Sequence, residues 1–211
     1  MVRYFSFYLL FLVFGFSLTI ADEKIPLNKN QQNLVNEFNI CSEEYSLCEL
    51  NILKKLVKTS NEKTEYYDIF IYNLVERLIL VGDLKDWFDY KDLIENYIES
   101  STDETDSLKV YLSSLWGWRL YSIKELRDYK KSLKYLESAI STKGNDEMTG
   151  TAYYSLGVMY EQGRSVKKDI QKSIKYFEEA IKRGEYYAYR RIALNYILGD
   201  KFVAKNFSKA V

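Results

Sequence analysis

Two pairs of residues have the Ser-x-x-Lys spacing of serine hydrolases that act on β-lactams, in which the serine is the nucleophile. They are Ser60 with Lys63 and Ser165 with Lys168. Those enzymes also carry Ser-Asp-Asn and Lys-Thr-Gly motifs, and neither motif occurs in this sequence. A pattern that fixes only two positions arises by chance in a lysine-rich chain. The two Ser-x-x-Lys pairs are therefore expected to be ordinary turn and helix-surface residues rather than the active site of a β-lactam or cell-wall hydrolase.

Other catalytic and metal-binding chemistry is limited by composition. The 211 residues include no histidine, which excludes a Ser-His-Asp triad, a Cys-His pair and any His-ligated metal site. Neighbouring carboxylates such as Glu178 and Glu179 do not face each other on a helix. The sequence therefore predicts no enzyme, no metal and no cofactor. Thirty basic residues balance thirty acidic ones, so no nucleic-acid partner is expected.

The two cysteines, Cys41 and Cys48, are a candidate disulfide. On one straight helix their Cα atoms would lie about 10 Å apart at ~1.5 Å rise per residue, beyond the ~7 Å that a disulfide spans. A bridge therefore requires a turn within residues 42–47 and a helix that resumes near Glu49. The alternative is a continuous helix with two buried free thiols. Export into an oxidising compartment favours the bridge, and the spacing is not that of a redox-active Cys-x-x-Cys pair.

The N-terminal residues have the three parts of a secretory signal peptide. Arg3 is the basic end, residues 4–20 are an apolar run, and Thr19 and Ala21 fit a small-residue cleavage site after Ala21. The alternative is a retained anchor, because the run is near the lower end of the ~17–25 residues that span a bilayer. The mature chain is expected to be periplasmic or secreted, or in the endoplasmic-reticulum lumen. Membrane association is expected only through a retained signal or a partner.

The second half of the chain repeats. Residues 128–140 read DYKKSLKYLESAI, and residues 169–181, 41 positions later, read DIQKSIKYFEEAI. The preceding helix also recurs, 36 positions later: Ala152, Leu156, Tyr160 and Gly163 return as Ala188, Ile192, Tyr196 and Gly199. A period of ~36–41 residues is typical of stacked helix pairs.

The repeated positions have structural roles. Gly157 has no side chain, so a neighbouring helix can approach it closely. Gly163 suits a left-handed C-cap, and Asp169 is placed to cap the helix that follows it. The other structural repeat positions are Ala152, Leu156, Tyr160, Tyr176, Ala180 and Gly184. Neither helix of a pair buries its apolar stripe without the next pair, which predicts a solenoid.

One segment resembles a Sel1-like repeat, a relative of the tetratricopeptide repeat. It reads AYYSLGVMYEQG and is followed by VKKD and then by KS, YF and a closing glycine. The resemblance is nearly complete over residues 152–187. Residues 107–144 resemble the repeat well only in their second helix. Residues 188–211 resemble a truncated unit, with Ala193 where the family usually has glycine.

The resemblance implies an α/α solenoid that binds other proteins, as adaptors do in bacterial envelopes and in endoplasmic-reticulum protein degradation. Most of the 20 tyrosines are expected in the core. Tyr153 and Tyr189, however, occupy equivalent first-helix positions that flank the buried stripe, and tyrosine and arginine carry much of the energy of protein interfaces. The hypothesis is a partner-binding face with Tyr153, Tyr187, Tyr189 and Arg191. The alternative is solvated surface or inter-repeat contacts.

With one proline and nine glycines, the chain has few helix breakers. The predicted fold is a right-handed all-α solenoid of about six to eight helices with a less regular helical N-terminal cap. The expected regions are a signal peptide (1–21), a helical N-terminal region (22–106), a divergent repeat (107–144), a Sel1-like repeat (145–187) and a truncated repeat (188–211). The predicted function is a non-enzymatic exported adaptor for a protein or peptide partner. The alternatives are an endoplasmic-reticulum quality-control scaffold and, third, a serine hydrolase.

Overall fold

The protein is described by a computed structural model over residues 25–41, 47–61, 64, 66–100, 107–141 and 149–198. Within these ranges the chain forms ten helices, and the only β-type pairing is an isolated parallel bridge between Ile25 and Thr64. The all-α fold predicted from the sequence is confirmed. The expected signal peptide, residues 1–21, lies outside the described residues.

The helices follow one another with short connections. They are α1 (Lys29–Ile40), α2 (Leu47–Thr59), α3 (Tyr67–Val81), α4 (Leu84–Asp89), α5 (Lys91–Glu99), α6 (Ser107–Ser122), α7 (Tyr129–Ser141), α8 (Gly150–Gln162), α9 (Ile170–Lys182) and α10 (Tyr187–Leu198). The number exceeds the expected six to eight because two breaks divide the stretch around α4. Gly82 is extended after α3, and Tyr90 has non-helical dihedral angles between α4 and α5.

The chain divides into two compact units, and the first comprises Met1–Asp86. In it, α1 packs on α2, and α2 packs on α3. In the core of this unit, Leu50, Leu53 and Leu74 are fully buried. These leucines lie on one face of each helix, and their burial gives α2 and α3 a common apolar interface.

The connection between α1 and α2 carries the disulfide. Cys41 directly follows α1, and Cys48 lies in the first turn of α2. Their Cα atoms are 6.1 Å apart, and their sulfur atoms are bonded. The bridge expected from the sequence is therefore present, and the helix resumes at Leu47, close to the expected position. The alternative of one continuous helix with free thiols is wrong.

The second unit, Trp87–Val211, contains the repeats. Two helix pairs, α6 with α7 and α8 with α9, stack so that α8 contacts both helices of the preceding pair, and α10 packs on α9. Their shared core joins Leu136, Leu156, Phe177 and Ala188. Each pair thus completes the burial of its neighbour, as a helical-repeat array requires.

Among the described helices, none combines the length and the apolar character that crossing a membrane requires.

Candidate partner-binding surface

The α8–α9 pair is held together by a close helix approach. Ala152 and Leu156 of α8 are fully buried, as is Phe177 of α9. The Phe177 ring lies over Gly157, where a Cβ atom would come within 2.5 Å of a ring carbon. The absence of a side chain at Gly157 therefore sets the spacing of the two helices. Ala180, which is also fully buried, continues this contact along α9.

Both ends of the turn between α8 and α9 are capped as the residue types predict. Gly163 adopts the left-handed conformation (φ 72°, ψ 40°) after α8, and its N–H donates to the carbonyl of Met159. Asp169 caps α9 by accepting a hydrogen bond from the backbone N–H of Lys172 at 2.9 Å. Gly184, also with positive φ (82°), follows the end of α9. The turn is consequently a defined structure that fixes the side chains around it.

Two tyrosines form a half-buried platform beside this turn. The rings of Tyr160 and Tyr176 stack with centroids 5.3 Å apart. The Lys172 ammonium lies 4.2 Å from the centroid of the Tyr160 ring and donates to the Tyr160 hydroxyl at 2.8 Å. Burial raises the pKa of Tyr176, and the hydrogen bond to Tyr160 raises the pKa of Lys172. Lys172 is therefore a cation at neutral pH.

Tyr153 is partly buried within its own repeat. The Arg183 guanidinium lies 4.2 Å from its ring centroid, and the Tyr176 ring is 6.1 Å away. A cation over an aromatic face is an attractive contact. The Tyr153 ring therefore packs within its own repeat. A smaller fraction of this side chain is exposed to solvent than of Tyr186, Tyr187 and Tyr189.

Three exposed tyrosines lie at the start of α10, one directly before the helix and two in its first turn. The exposed fractions are 68% for Tyr186, 79% for Tyr187 and 58% for Tyr189. The rings of Tyr186 and Tyr189 are nearly parallel, with an interplanar angle of 3° and centroids 6.4 Å apart. Arg190 is exposed next to them. We call these four residues the tyrosine surface.

Arg191 has a different environment from its neighbour Arg190. Its Nη1 donates to Oε2 of Glu161 at 3.0 Å, while Nδ2 of Asn195 donates to Oε1 of the same carboxylate at 2.9 Å. Glu161 is on α8, so this carboxylate links α8 to α10. The structure therefore places Arg191 in a helix–helix contact, beside but not within the tyrosine surface.

The family model of the Sel1 repeat matches residues 117–141 and 150–185. These two segments cover most of the α6–α7 pair and the whole α8–α9 pair. Over these two segments the chain is similar to the Sel1 repeat. Sel1 repeats are in general modules of protein–protein interaction. A search of the curated proteins found no match to the chain.

The Sel1 match agrees with the resemblance read from the sequence. The full repeat extends over nearly the same residues as expected, and the divergent one includes Gly117, whose position corresponds to Gly157. At Gly117 a Cβ atom would lie 2.8 Å from Leu136, so both pairs use the same glycine contact. The expected truncated unit reaches beyond α10 into residues 199–211, outside the described residues.

The Ser-x-x-Lys pairs lie in different settings. Ser60 follows α2 and accepts a hydrogen bond from Gln31 at 3.0 Å, and Lys63 lies outside the described residues. Ser165 and Lys168 are both exposed in the turn between α8 and α9, where Ser165 has a positive φ of 55°. In the part of the chain that the structure describes, no group of three metal-ligating side chains comes together.

The first unit contains an ionic cluster that the sequence did not indicate. Arg77 of α3 donates through Nε to Glu49 of α2 at 2.8 Å, and its Nη1 pairs with Glu76. All three side chains are buried. Burial raises the pKa of Glu76 in spite of the neighbouring guanidinium. Glu49 and Arg77 are 28 residues apart without a shared motif, so no sequence signal pairs them.

Proposed function

We propose that the protein is an exported, non-enzymatic scaffold that binds a protein or peptide partner through the tyrosine surface of α10. The observation that carries this proposal is the exposure of Tyr186, Tyr187 and Tyr189 together at the start of α10, directly after the segments that match the Sel1 repeat. A solvated surface rarely gathers large aromatic side chains into a patch. Tyrosine and arginine are the residues enriched at the energetic centres of interfaces.

The repeat array gives this surface a rigid base. Ala188 of α10 is fully buried in the core that also contains Leu156 and Phe177. The Glu161–Arg191 ion pair adds a second attachment of α10 to α8. The backbone of α10 is therefore held in place before a partner binds, which lowers the entropic cost of association.

Two features support export. Residues 1–21 have the composition of a signal peptide, and Cys41 and Cys48 form a disulfide, a bond that persists in oxidising compartments. We place the mature protein in a bacterial periplasm or in the extracellular medium. Mass spectrometry of protein purified from its host tests this placement: the mature N-terminus is expected at Asp22, and a chain that retains Met1 would contradict cleavage.

The scaffold role without catalysis is supported by the residues themselves. Histidine is absent from the whole sequence, and the turn that carries Ser165 and Lys168 serves as the connection inside a repeat. A hydrolase would need a base held against the serine hydroxyl. Turnover of a chromogenic β-lactam by the purified protein, abolished by Ser60→Ala or Ser165→Ala, would overturn this part of the proposal.

The binding role is tested by capture of partners in the native host. Tyr186→Ala/Tyr187→Ala/Tyr189→Ala is compared with the wild type by chemical cross-linking and quantitative mass spectrometry. The matched control is Phe88→Ala, which removes an aromatic ring that is 54% exposed on α4. We expect the triple variant to lose a partner at least tenfold while the control keeps it. Equal recovery by all three proteins would overturn the proposed surface.

A further inference from the structure

The first repeat pair binds the carboxylates of another helix in a defined way. Lys131 of α7 pairs with Glu95 of α5, with Nζ 2.5 Å from Oε2. Lys134 and Tyr135 both donate to Oε1 of Glu99, at 2.9 Å and 2.7 Å. The two glutamates are four residues apart, so they lie on the same face of α5.

The hydrogen bonds of this arrangement also shift the pKa values of its members. Hydrogen bonds from Lys134 and Tyr135 lower the pKa of Glu99. The hydrogen bond to Glu95 raises the pKa of Lys131. Both shifts favour the charged forms, so the set Lys-x-x-Lys-Tyr on α7 is a receptor for two carboxylates on an acidic helix.

The second repeat pair carries the same three residue types at the same repeat positions. Lys131, Lys134 and Tyr135 correspond to Lys172, Lys175 and Tyr176 on α9, each 41 positions later. The match is part of the internal repeat, so the two sets occupy the same turns of equivalent helices.

Among the described residues no carboxylate forms an ion pair with the set on α9, and Glu137 of α7 acts on Tyr176 through its charge alone. Lys172 donates to the uncharged Tyr160 hydroxyl, and an ammonium has three donors, so further acceptors are accommodated. Lys175 is exposed and makes no ion pair with any of the described residues. The lysines and the tyrosine of the first pair's receptor are thus present in the second pair without an ion pair to any described carboxylate.

An open cleft of about 630 Å³ lies beside Lys172. Its lining includes Lys167 and Lys168 of the turn, together with Tyr160. The acidic residue of the lining, Asp169, accepts from the backbone of Lys172 as the cap of α9. The cleft therefore combines three ammonium groups with one carboxylate that is already hydrogen-bonded. We call Lys167, Lys168, Lys172 and Lys175 the basic surface.

We propose that the basic surface of α9 binds an acidic helical segment of a partner protein, with carboxylates four residues apart, as α7 binds Glu95 and Glu99 within this chain. This inference rests on the proposed scaffold function and gives that function a second contact with a stated ligand chemistry. The Tyr160–Tyr176 stack beside Lys172 supplies apolar area for the alanine or leucine side chains between the carboxylates. The turn lysines add long-range attraction, which salt screens.

The test uses purified protein and a fluorescein-labelled, alanine-based helical peptide with three glutamates at four-residue spacing. Fluorescence anisotropy at about 50 mM salt measures binding. The matched peptide has glutamine in place of each glutamate. We expect the glutamine peptide to bind at least about tenfold more weakly, because it offers no charge to the lysines.

The variant that removes the receptor is Lys172→Gln/Lys175→Gln. The control is Lys124→Gln/Lys130→Gln, which removes two exposed lysines of the first pair and the same net charge. We expect about tenfold weaker binding of the glutamate peptide to the first variant and binding within twofold of wild type for the control. Thermal unfolding followed by circular dichroism verifies that both variants fold.

Four results would overturn the inference. Equal weakening by the two variants would show that only net charge matters. Displacement of the peptide by millimolar inorganic phosphate would assign the cleft to a small anion, and preferred binding to phosphatidylserine vesicles would assign it to a membrane surface. Failure of the peptide to bind, with partner capture still dependent on the tyrosine surface, would reject this inference and leave the scaffold function intact.

Discussion

The ring of Phe177 on α9 lies directly over the backbone of Gly157 on α8, so close that a Cβ atom there would be 2.5 Å from a ring carbon. The preceding pair repeats the relationship with Leu136 over Gly117, at 2.8 Å. Leu136 and Phe177, the large residues of these two contacts, both belong to the shared core. The glycine therefore determines how closely the helices of each pair approach, and the large residue opposite fills the space that it leaves.

Replacing this glycine is expected to separate the helices. In Gly157→Ala the new methyl group forces the Phe177 ring away, at a cost of about 1–3 kcal/mol for overpacking, and the better helix propensity of alanine returns about 1 kcal/mol. We expect a net loss of up to about 2 kcal/mol in the free energy of unfolding, measured by urea denaturation. A variant more stable than the wild type would contradict the close contact.

Gly184→Ala is the matched comparison. Gly184 has a φ of 82° with no atom within 4 Å of the position that a Cβ would occupy. The cost there is only that of a left-handed alanine, about 1 kcal/mol. Because Gly184 does not contact Phe177, the near-ultraviolet circular dichroism of Gly184→Ala is expected to match that of the wild type. That of Gly157→Ala is expected to differ, because its new methyl group moves the Phe177 ring.

The disulfide is expected to contribute to the stability of the first unit. Closing a loop of this size between Cys41 and Cys48 restricts the unfolded chain by about 2–3 kcal/mol. The double variant Cys41→Ser/Cys48→Ser should therefore unfold at lower urea concentration, while the wild type under reducing conditions behaves like the variant. Intact-mass measurement checks the bond itself: reduction should add about 2 Da, and an unchanged mass would refute the bridge.

The repeats were predictable from sequence because their determinants are local. Gly163 and Asp169 act on their own helix ends, and Gly157 recurs at the repeat period, so residue type and spacing sufficed. The pairing of Lys131 with Glu95 was not predictable, because the two groups come from helices whose packing only the fold reveals. The same holds for Arg77 and Glu49, whose region lacks a repeat to align. Long-range pairs between ordinary charged residues leave no local signature.

The buried carboxylate of Glu76 is expected to make stability depend on pH. Its folded-state pKa is raised above the ordinary 4.5 by burial, so the folded chain binds the proton more tightly than the unfolded chain. The contribution of Glu76 to the free energy of unfolding is then highest below about pH 4.5 and falls as pH rises through the folded pKa. The slope from this group is at most about 1.4 kcal/mol per pH unit.

Glu76→Gln isolates this contribution from that of other acids. Glu99 and Glu179 have lowered pKa values because lysine, tyrosine and arginine donate hydrogen bonds to them, and they act in the opposite direction. The difference in unfolding free energy between Glu76→Gln and wild type should therefore grow in favour of the variant as pH rises from about 4.5 to 8. Parallel pH profiles of the two proteins would show that Glu76 does not titrate as expected.

Two adjacent arginines of α10 separate attachment of the helix from contact with a partner. Arg191 donates to Glu161 of α8 at 3.0 Å, whereas Arg190 is exposed. Arg191→Ala removes a charge-assisted hydrogen bond and leaves the partly buried Glu161 with Asn195, at a cost of about 1–2 kcal/mol. Arg190→Ala removes surface charge, with an effect within about 0.5 kcal/mol.

Hydrogen–deuterium exchange resolves the difference within α10. Because the lost contact ties α10 to α8, Arg191→Ala should speed exchange of the α10 amides about tenfold while the amides of α8 keep their protection. Arg190→Ala should leave exchange unchanged and weaken partner binding, since it lies within the tyrosine surface. If exchange in α10 were the same for both variants, the Arg191–Glu161 contact would not hold the helix on α8.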